Sequence, residues 1–193
     1  MNKAVFLDRD GVINRAASEG KYIIGWEEMC FLPGVAEAIR RLNTSGFLVV
    51  VVTNQRCVAK GLITIEELYL LHQKMCGELA TMGAMIDGVY FCPHDIEPPC
   101  SCRKPAPGML REAAHDHNIA LSGSWMIGDS TSDIQAGINA GCKTARVTQS
   151  YELSEGVGDV SAPSLLGVVG KICGLGEDSD ILHNHAATES LVR

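Results

Sequence analysis

Short apolar runs alternate with amphipathic stretches along most of the chain. Apolar runs rich in β-branched and aromatic residues, which are typical of buried strands, occur at residues 3–7, 47–53, 86–91, 124–128 and 143–147. Stretches with apolar positions at helical spacing lie between them, at residues 34–45, 64–82, 107–118 and 131–140. Thr64 followed by Glu67 is the pattern of a capping box and predicts the start of the second helix. Buried strands joined by helices predict an α/β fold with a parallel sheet covered on both faces.

Polar clusters follow the predicted strands. They are DRDG at residues 8–11, TNQ at 53–55, a Cys, His, Arg and Lys segment at 92–104, and GDSTSD at 128–133. In parallel sheets of this kind, ligands bind at the carboxyl ends of the strands. The four clusters are therefore expected to converge on one edge of the sheet and to form a single site.

The composition fits one soluble globular domain. The chain has 193 residues, of which 46% are hydrophobic and 20% are charged, and its formal net charge is −7. This acidic balance argues against nucleic-acid binding, and no apolar run reaches the roughly 18 residues of a membrane span. The amino-terminal residues lack a signal-peptide pattern. We expect a cytoplasmic monomer with one domain at residues 1–173, followed by a loosely ordered extension at residues 174–193.

Asp8 and Asp10 stand two positions apart, immediately after the first predicted strand. Acidic residues there can simply terminate the strand and cap the chain that follows. The alternative is catalytic: one carboxylate attacks phosphorus, and the other handles the proton of the leaving group. Hydrolysis of a phosphate monoester is among the slowest uncatalysed reactions, and a covalent aspartyl phosphate is one answer to such a barrier.

Carboxylates that face a dianionic phosphate repel it unless a divalent cation lies between them. Asp129, which follows the fourth predicted strand, can supply a further carboxylate, and Asp133 lies one helical turn beyond it. Oxygen ligands of this kind suit Mg²⁺, which keeps several waters and needs few protein ligands. The sequence therefore predicts magnesium at Asp8 and Asp129, although an aspartate in a GDS turn can equally be a helix N-cap.

Thr53 ends the second predicted strand, and its hydroxyl and the backbone amide of Asn54 suit a phosphoryl oxygen. A Thr-Asn pair can equally form a plain turn. Lys104 is the positive charge best placed to stabilise a transferring phosphoryl group. Arg103 before it can hold a second substrate anion with two parallel hydrogen bonds. A solvated basic pair is the alternative.

Three cysteines and one histidine lie within eleven residues, at Cys92, His94, Cys100 and Cys102. Three thiolates and an imidazole match a closed tetrahedral Zn²⁺ site, in which four protein ligands leave no open position. We therefore expect a structural zinc ion in a small folded-back loop, which stiffens the chain that carries the basic pair at 103–104. Free or oxidised cysteines are the alternative.

Together, these residues resemble the haloacid dehalogenase superfamily of phosphatases. Its four motifs match in order over roughly residues 3–150, as DRDG, VVVTNQ, CRKP and IGDSTSD. The resemblance implies a Rossmann-like parallel sheet, with Asp8 as nucleophile and magnesium ligand, and Asp10 as an acid–base residue whose backbone carbonyl also contacts magnesium. The resemblance further implies that Asp129 is the second carboxylate ligand of magnesium and that Thr53 and Lys104 bind the phosphoryl group. It also implies a role for Arg103 in substrate recognition, and a zinc ion bound by Cys92, His94, Cys100 and Cys102.

The segment from CPH to CSCRKPAPGM resembles the subgroup that contains D-glycero-D-manno-heptose-1,7-bisphosphate phosphatases and histidinol-phosphate phosphatases. TNQRCVAKG is similar to the TNQSGIARG of the heptose enzymes, whereas the five residues between His94 and Cys100 are similar to the short loop of the histidinol enzymes. We favour removal of the 7-phosphate of the heptose bisphosphate, in carbohydrate metabolism. Histidinol phosphate and another small sugar phosphate are the alternatives, and a non-catalytic scaffold is disfavoured because every motif residue is present.

The substrate pocket is expected to be open. Only about two dozen residues separate the first motif from the helix at residue 34, too few for a large cap domain. Five basic residues accompany the motifs, namely Arg9, Arg56, Lys60, Arg103 and Lys104. One phosphoryl group needs only one of these cations besides magnesium, so the others lack a partner unless the substrate brings a second anion. The alternatives are that some of them are solvated and that Arg9 points away from the pocket. This excess of positive charge predicts a sugar bisphosphate as the substrate.

Overall fold

The computed structural model describes residues 1–148 and 158–174 of the chain. In this part of the chain the strands are β1 (Ala4–Leu7), β2 (Leu48–Asn54), β3 (Gly88–Cys92), β4 (Trp125–Gly128), β5 (Lys143–Val147) and β6 (Val160–Ala162). The helices are α1 (Val35–Thr44), α2 (Ile65–Thr81), α3 (Gly108–Asp116), α4 (Thr131–Ala140) and α5 (Leu165–Cys173). The extension predicted at residues 174–193 lies outside the described residues except for Gly174.

The strands form one parallel sheet in the order β3-β2-β1-β4-β5-β6. The chain runs outward from β1 to one edge and then continues on the other side of β1, so the strand order reverses there. The register pairs Leu7 of β1 with Val51 of β2 and with Ile127 of β4. The carboxyl ends of these three strands therefore lie side by side at the reversal point, where ligands bind in folds of this type.

Helices cover both faces of the sheet, which confirms the predicted architecture. Because side chains alternate along a strand, Val5 and Leu7 of β1 face one layer, which contains α1, α2 and α5. Ala4 and Phe6 face the other layer, which contains α3 and α4. Burial of both faces explains why the central strands are continuous apolar runs in the sequence.

Two of the described helices, α2 and α4, begin with capping boxes. Thr64 Oγ1 accepts from the Glu67 amide at 3.1 Å, and the Thr64 amide donates to Glu67 Oε2 at 2.9 Å. This confirms the predicted start of α2. Ser130 and Asp133 form the same arrangement at α4 and fix its first turn directly after β4.

The segment between β1 and α1 contains one short 3-10 helix, Trp26–Glu28. Over the described ranges no separate cap domain covers the carboxyl edge of the sheet, as the short spacing predicts. None of the described helices combines the length and the apolar character that crossing a membrane requires. The sequence pattern does not predict β6, because a strand of three residues is too short to show a period. It does not predict α5 either, because two glycines interrupt the apolar pattern of that helix.

Candidate active site

The loop after β1 brings Asp8 to the carboxyl edge of the sheet. Asp8 is buried, and its amide donates to the Ile127 carbonyl of β4 at 3.0 Å. Gly11 has a φ of +89°, and a Cβ atom at this position would collide with Asp129 Oδ2. The loop therefore requires glycine, because a side chain would exclude the Asp129 carboxylate from its place beside the loop.

Lys104 lies at the centre of the site and is buried, with 3% of its surface exposed. Its Nζ donates to Asp8 Oδ1 at 2.7 Å and to the Val52 carbonyl at 2.8 Å, and it lies 2.6 Å from Asp133 Oδ1. Burial lowers the pKa of Lys104, but the charges of Asp8 and Asp133 outweigh burial and raise the pKa above its ordinary value. The ammonium group is therefore charged and bridges two carboxylates from different loops.

The side chain of Asn54 holds the segment that carries Lys104. Its Nδ2 donates to the Lys104 carbonyl at 3.1 Å, and its Oδ1 accepts from the Lys104 amide at 3.0 Å. These two contacts fix the Lys104 backbone against the end of β2. The sequence interpretation assigned Asn54 a role through its backbone amide and missed this side-chain contact, for which the TNQ motif alone gives no signal.

Asp8, Asp129 and Asp133 bring carboxylate oxygens within 4.8 Å of one another. Burial raises the pKa of Asp8 to about 7, and the negative charge of Asp133 also raises it. The positive charge of Lys104 lowers the pKa of Asp8 but does not outweigh burial. Burial and the charge of Asp133 likewise raise the pKa of Asp129. Crowded carboxylates of this kind need a cation between them, and their oxygen atoms are the ligands that Mg²⁺ prefers. The donor set therefore fits magnesium.

Asp10 is held by three neighbouring side chains. The guanidinium of Arg9 donates to both Asp10 oxygens at 3.0–3.2 Å. Asn14 Nδ2 donates to Asp10 Oδ1 at 2.9 Å, and Gln55 Nε2 donates to Asp10 Oδ2 at 3.1 Å. Gln55 also donates to Thr53 Oγ1 at 2.8 Å, so one amide connects the loops after β1 and β2. The sequence interpretation did not single out Gln55 or Asn14.

An open cleft of about 180 Å³ lies between these groups. Its walls are formed by Asp8, Asp10, Thr53, Asn54, Lys104, Asp129, Ser130, Ser132 and Asp133. Each residue that the sequence assigned to catalysis, magnesium or substrate lines this cleft, with the exception of Arg103. The structure thus brings distant segments into one site, as the polar clusters at the strand ends predict.

Several basic residues of the motifs are engaged with protein partners. Arg9 is buried and pairs with the Asp10 carboxylate. Arg56 pairs with Asp95 at 2.5 Å. Lys60 Nζ lies 5.1 Å from the ring centre of Tyr22. The expectation that these cations lack partners without a second substrate anion is therefore wrong. Their contacts depend on tertiary packing, which the motif spacing does not reveal.

Arg103 is partly exposed and lies beside the cleft without lining it. Its Nη1 donates to the His94 carbonyl at 3.3 Å. Its amide donates to Cys100 Sγ at 3.4 Å. The backbone of Arg103 is thus held by the cysteine loop, while its guanidinium makes one long hydrogen bond to the described residues.

Cys92, His94, Cys100 and Cys102 converge in the segment between β3 and α3. The three sulfur atoms lie 3.3–3.5 Å apart, and His94 Nδ1 lies 3.5 Å from Cys92 Sγ and 3.2 Å from Cys102 Sγ. In a tetrahedral site with Zn–S bonds of about 2.3 Å, the sulfur atoms are about 3.8 Å apart. Four donors of this chemistry at nearly this spacing fit zinc, as the sequence predicts.

Comparison with known proteins agrees with this geometry. A family model described as HAD-hydrolase-like matches residues 101–163. The chain is 41% identical over 140 residues to the D-glycero-beta-D-manno-heptose-1,7-bisphosphate 7-phosphatase of Bordetella bronchiseptica, over 72% of this chain and 77% of that relative. It is 43% identical over 150 residues to the D-glycero-alpha-D-manno-heptose-1,7-bisphosphate 7-phosphatase of Burkholderia mallei, over 74% of this chain and 78% of that relative.

A crystal structure of the D,D-heptose 1,7-bisphosphate phosphatase from B. bronchiseptica, complexed with magnesium and phosphate, aligns with a TM-score of 0.81. The two chains are 36% identical, and the alignment covers 89% of this chain and 98% of that chain. The parallel sheet and the carboxylate cluster at its edge define a phosphatase of the haloacid dehalogenase class. Within that class, the chain belongs to the family of the D-glycero-D-manno-heptose-1,7-bisphosphate 7-phosphatases.

Proposed function

We propose that this chain is a magnesium-dependent phosphatase that removes the 7-phosphate of D-glycero-D-manno-heptose 1,7-bisphosphate through an aspartyl-phosphate intermediate. The observation that carries the proposal is the buried contact of Lys104 with Asp8, at 2.7 Å, beside further carboxylates at the edge of the sheet. The substrate is inferred from relatives with 41% and 43% identity, whose names specify this bisphosphate and the position of hydrolysis.

In the first step, the Asp8 carboxylate attacks the phosphorus atom of the 7-phosphate. A bond forms between an Asp8 oxygen and phosphorus, and the bond between phosphorus and the sugar oxygen breaks. Asp10, in its protonated form, transfers a proton to the departing sugar oxygen. The location of Asp10 on the wall of the same cleft supports this assignment.

In the second step, a water molecule attacks the phosphorus atom of the aspartyl phosphate. The Asp10 carboxylate accepts a proton from that water, the bond between Asp8 and phosphorus breaks, and inorganic phosphate leaves. Asp10 is then protonated and Asp8 is a free carboxylate, so the protein returns to its starting state after one turnover.

Thr53, Asn54 and Lys104 are the residues that we assign to binding the phosphoryl group. All three line the cleft, and the Lys104 ammonium is buried, where charge interactions are stronger than in water. Asn54 also acts through its side chain, because it holds the Lys104 backbone in place. A cation that is already fixed before substrate binds stabilises the transition state without reorganisation.

Asp8, Asp129 and the backbone carbonyl of Asp10 are the groups that we assign to magnesium. When bound, the ion neutralises negative charge on the carboxylates and on the phosphoryl oxygens. Asp133 contributes through Lys104, since its Oδ1 lies 2.6 Å from the lysine Nζ and its Oδ2 caps α4. Arg103, beside the cleft, is assigned to recognition of the second phosphate of the substrate.

The zinc cluster has a structural role in this proposal, because all four donors come from the protein and leave no position for a substrate. We further propose one phosphatase domain over residues 1–173 that acts as a cytoplasmic monomer. The complete cleft within a single chain supports a monomer. The eight cysteines all lie in the described part of the chain and none of them forms a disulfide there, which supports a reducing compartment.

Phosphate release from a panel of substrates tests the proposal. The panel contains both anomers of the heptose 1,7-bisphosphate, the 7-monophosphate and histidinol phosphate, each assayed with Mg²⁺ and with a chelator. We expect the highest kcat/KM on one bisphosphate anomer, a product that retains the 1-phosphate, and no turnover with the chelator. A higher kcat/KM on histidinol phosphate would overturn the substrate assignment, and undiminished activity with the chelator would overturn the magnesium assignment.

A further inference from the structure

The side chain of Arg9 is completely buried, although arginine is rarely buried without partners. Its Nε and Nη2 donate to the two carboxylate oxygens of Asp10 at 3.0–3.2 Å. Its Nη1 lies 3.0 Å from Nε2 of His72. Arg9 therefore connects the proposed acid–base residue to a histidine of α2 that does not line the cleft.

His72 occupies a position of α2 that packs among apolar residues. Leu68, Leu71 and Met75 are buried on the same helix, and the His72 ring centre lies 5.6 Å from that of Phe91. In the part of the chain that the structure describes, Nδ1 of His72 has no hydrogen-bond partner. An apolar residue at this position would avoid a buried donor without an acceptor. The presence of histidine therefore calls for a physical reason.

The contact with Arg9 fixes the chemical form of His72. A guanidinium group has only donors, so Nε2 of His72 is the acceptor and the ring proton lies on Nδ1. Burial, together with the charge of Arg9, lowers the pKa of His72 to about 3, so the ring is neutral near neutral pH. His72 is thus a permanent acceptor for Arg9 and does not itself transfer protons.

We propose that His72 is a positioning residue, which holds the carboxylate of Asp10 in place through Arg9. This inference rests on the proposed function, because it takes Asp10 to be the acid–base residue. With Nη1 bound to His72, the guanidinium presents Nε and Nη2 to Asp10 in one fixed orientation. Without that acceptor, the buried Nη1 donor must turn to another partner, and Asp10 moves with the guanidinium. A displacement of about 1 Å is enough to reduce a catalysed rate about 10²-fold.

The test compares His72→Leu, which removes the acceptor, with His72→Gln, whose Oε1 can replace Nε2. Both variants are assayed on the heptose bisphosphate and on p-nitrophenyl phosphate. The value of kcat/KM reports the reaction as far as departure of the leaving group. A sugar oxygen needs a proton from Asp10 to depart, whereas a nitrophenolate needs little assistance from an acid.

We expect His72→Leu to lose about tenfold or more in kcat/KM on the sugar bisphosphate and about twofold or less on p-nitrophenyl phosphate. His72→Gln should recover most of the activity on the sugar. If His72→Leu does not fold, His72→Asn, whose side chain is too short to reach Arg9, takes its place. Equal losses on the two substrates, or no rescue by His72→Gln, would overturn the inference.

Met75→Ala is the matched control, because Met75 is buried one helical turn away and its side chain is apolar. It should lower thermal stability and leave the ratio of the two kcat/KM values unchanged. Asp10→Asn separates this inference from the proposed function. Equal losses for Asp10→Asn on the two substrates mean that the acid–base assignment fails. A sugar-specific loss for Asp10→Asn without one for His72→Leu means that only the positioning role fails.

Discussion

Within residues 1–148 and 158–174, two side-chain cations pair with the carboxylates of the site, and Lys104 is one of them. The negative groups are Asp8, Asp10, Asp129 and Asp133, and the second cation is Arg9. A phosphoryl group adds further negative charge to this buried region. Two cations are too few to balance four carboxylates and a phosphate. This imbalance is the physical reason for a divalent ion in the site.

Arg103 is the residue expected to distinguish a bisphosphate from a monophosphate. Among the described residues, its guanidinium makes one hydrogen bond, of 3.3 Å, to the His94 carbonyl. This single long contact leaves other donors of the group for a substrate anion. A charge-assisted contact with phosphate is worth on the order of 1.5–3 kcal/mol. Arg103→Ala should therefore lower kcat/KM about ten- to hundred-fold on the heptose bisphosphate, with a distinctly smaller loss on the 7-monophosphate.

Arg56→Ala is the control for Arg103→Ala, because the Arg56 guanidinium already pairs with Asp95 at 2.5 Å. It should change kcat/KM by about threefold or less on either substrate. If Arg103→Ala loses the same factor on both substrates, Arg103 acts on the transferring phosphate or on its own loop, and the assignment to the second phosphate is incorrect.

His72 gives the folded protein a defined pH dependence. Its pKa is lowered from the ordinary 6.5 to about 3, so between these values the unfolded chain binds a proton that the folded chain does not. The stability contributed by neutral His72 is complete above pH 6.5 and is lost as the pH falls, at up to about 1.4 kcal/mol per pH unit. Urea unfolding of wild type and His72→Gln measures this effect.

The free energy of unfolding of wild type should decrease relative to that of His72→Gln as the pH is lowered from about 7 to about 5. The difference between the two proteins cancels the contributions of the carboxylates, which both proteins share. A difference that stays constant over this range would contradict the assignment of a neutral, buried His72.

At the scale of elements, the segment between β3 and α3 joins the Cys/His cluster, which we propose holds zinc, to Lys104, which we propose binds the phosphoryl group. Cys100 Sγ accepts from the Arg103 amide at 3.4 Å, so a residue of that cluster directly holds the basic pair. Asn54 at the end of β2 holds the Lys104 backbone from the other side. These two contacts together hold the segment in the position that places Lys104 in the wall of the cleft.

Protein purified without added metal should contain about one zinc ion per chain by elemental analysis, because thiolates select zinc over magnesium. Cys100→Ser should lower zinc content, thermal stability and kcat together, since the segment loses a ligand. Cys30→Ser is the control, because Cys30 is exposed and is not one of the four clustered residues. A preparation of freshly purified, reduced protein that contains no zinc would contradict this assignment.

Elements with a long periodic pattern are predictable from the sequence. The second strand, predicted at 47–53, is Leu48–Asn54, and the second helix, predicted at 64–82, is Ile65–Thr81. The helix α5 is missed, because Gly167 and Gly170 weaken its helical propensity and interrupt the apolar pattern. The local sequence predicts a helix or strand correctly where residue propensity, capping and the period of apolar positions agree. It fails to predict the element where these signals conflict.

At the scale of the whole molecule, distant segments meet because β1, β2 and β4 are parallel neighbours whose carboxyl ends coincide. The common edge of a parallel sheet makes this convergence predictable from the order of strands and polar clusters. The partner of each charge is not predictable in this way. Arg9 contacts His72 across 63 positions of sequence, and that contact exists only because α2 packs over the loop after β1.

Turnover by Asp8→Asn tests the central claim, that Asp8 is the nucleophile of a phosphatase. An amide is neither a competent nucleophile nor a carboxylate ligand for magnesium. We predict a loss of about 10³-fold or more in kcat on the heptose bisphosphate, with an unchanged circular dichroism spectrum. Asp116→Asn, which alters a carboxylate bound to the Tyr90 hydroxyl, should keep nearly full activity. A folded Asp8→Asn variant with near-native kcat would contradict the account.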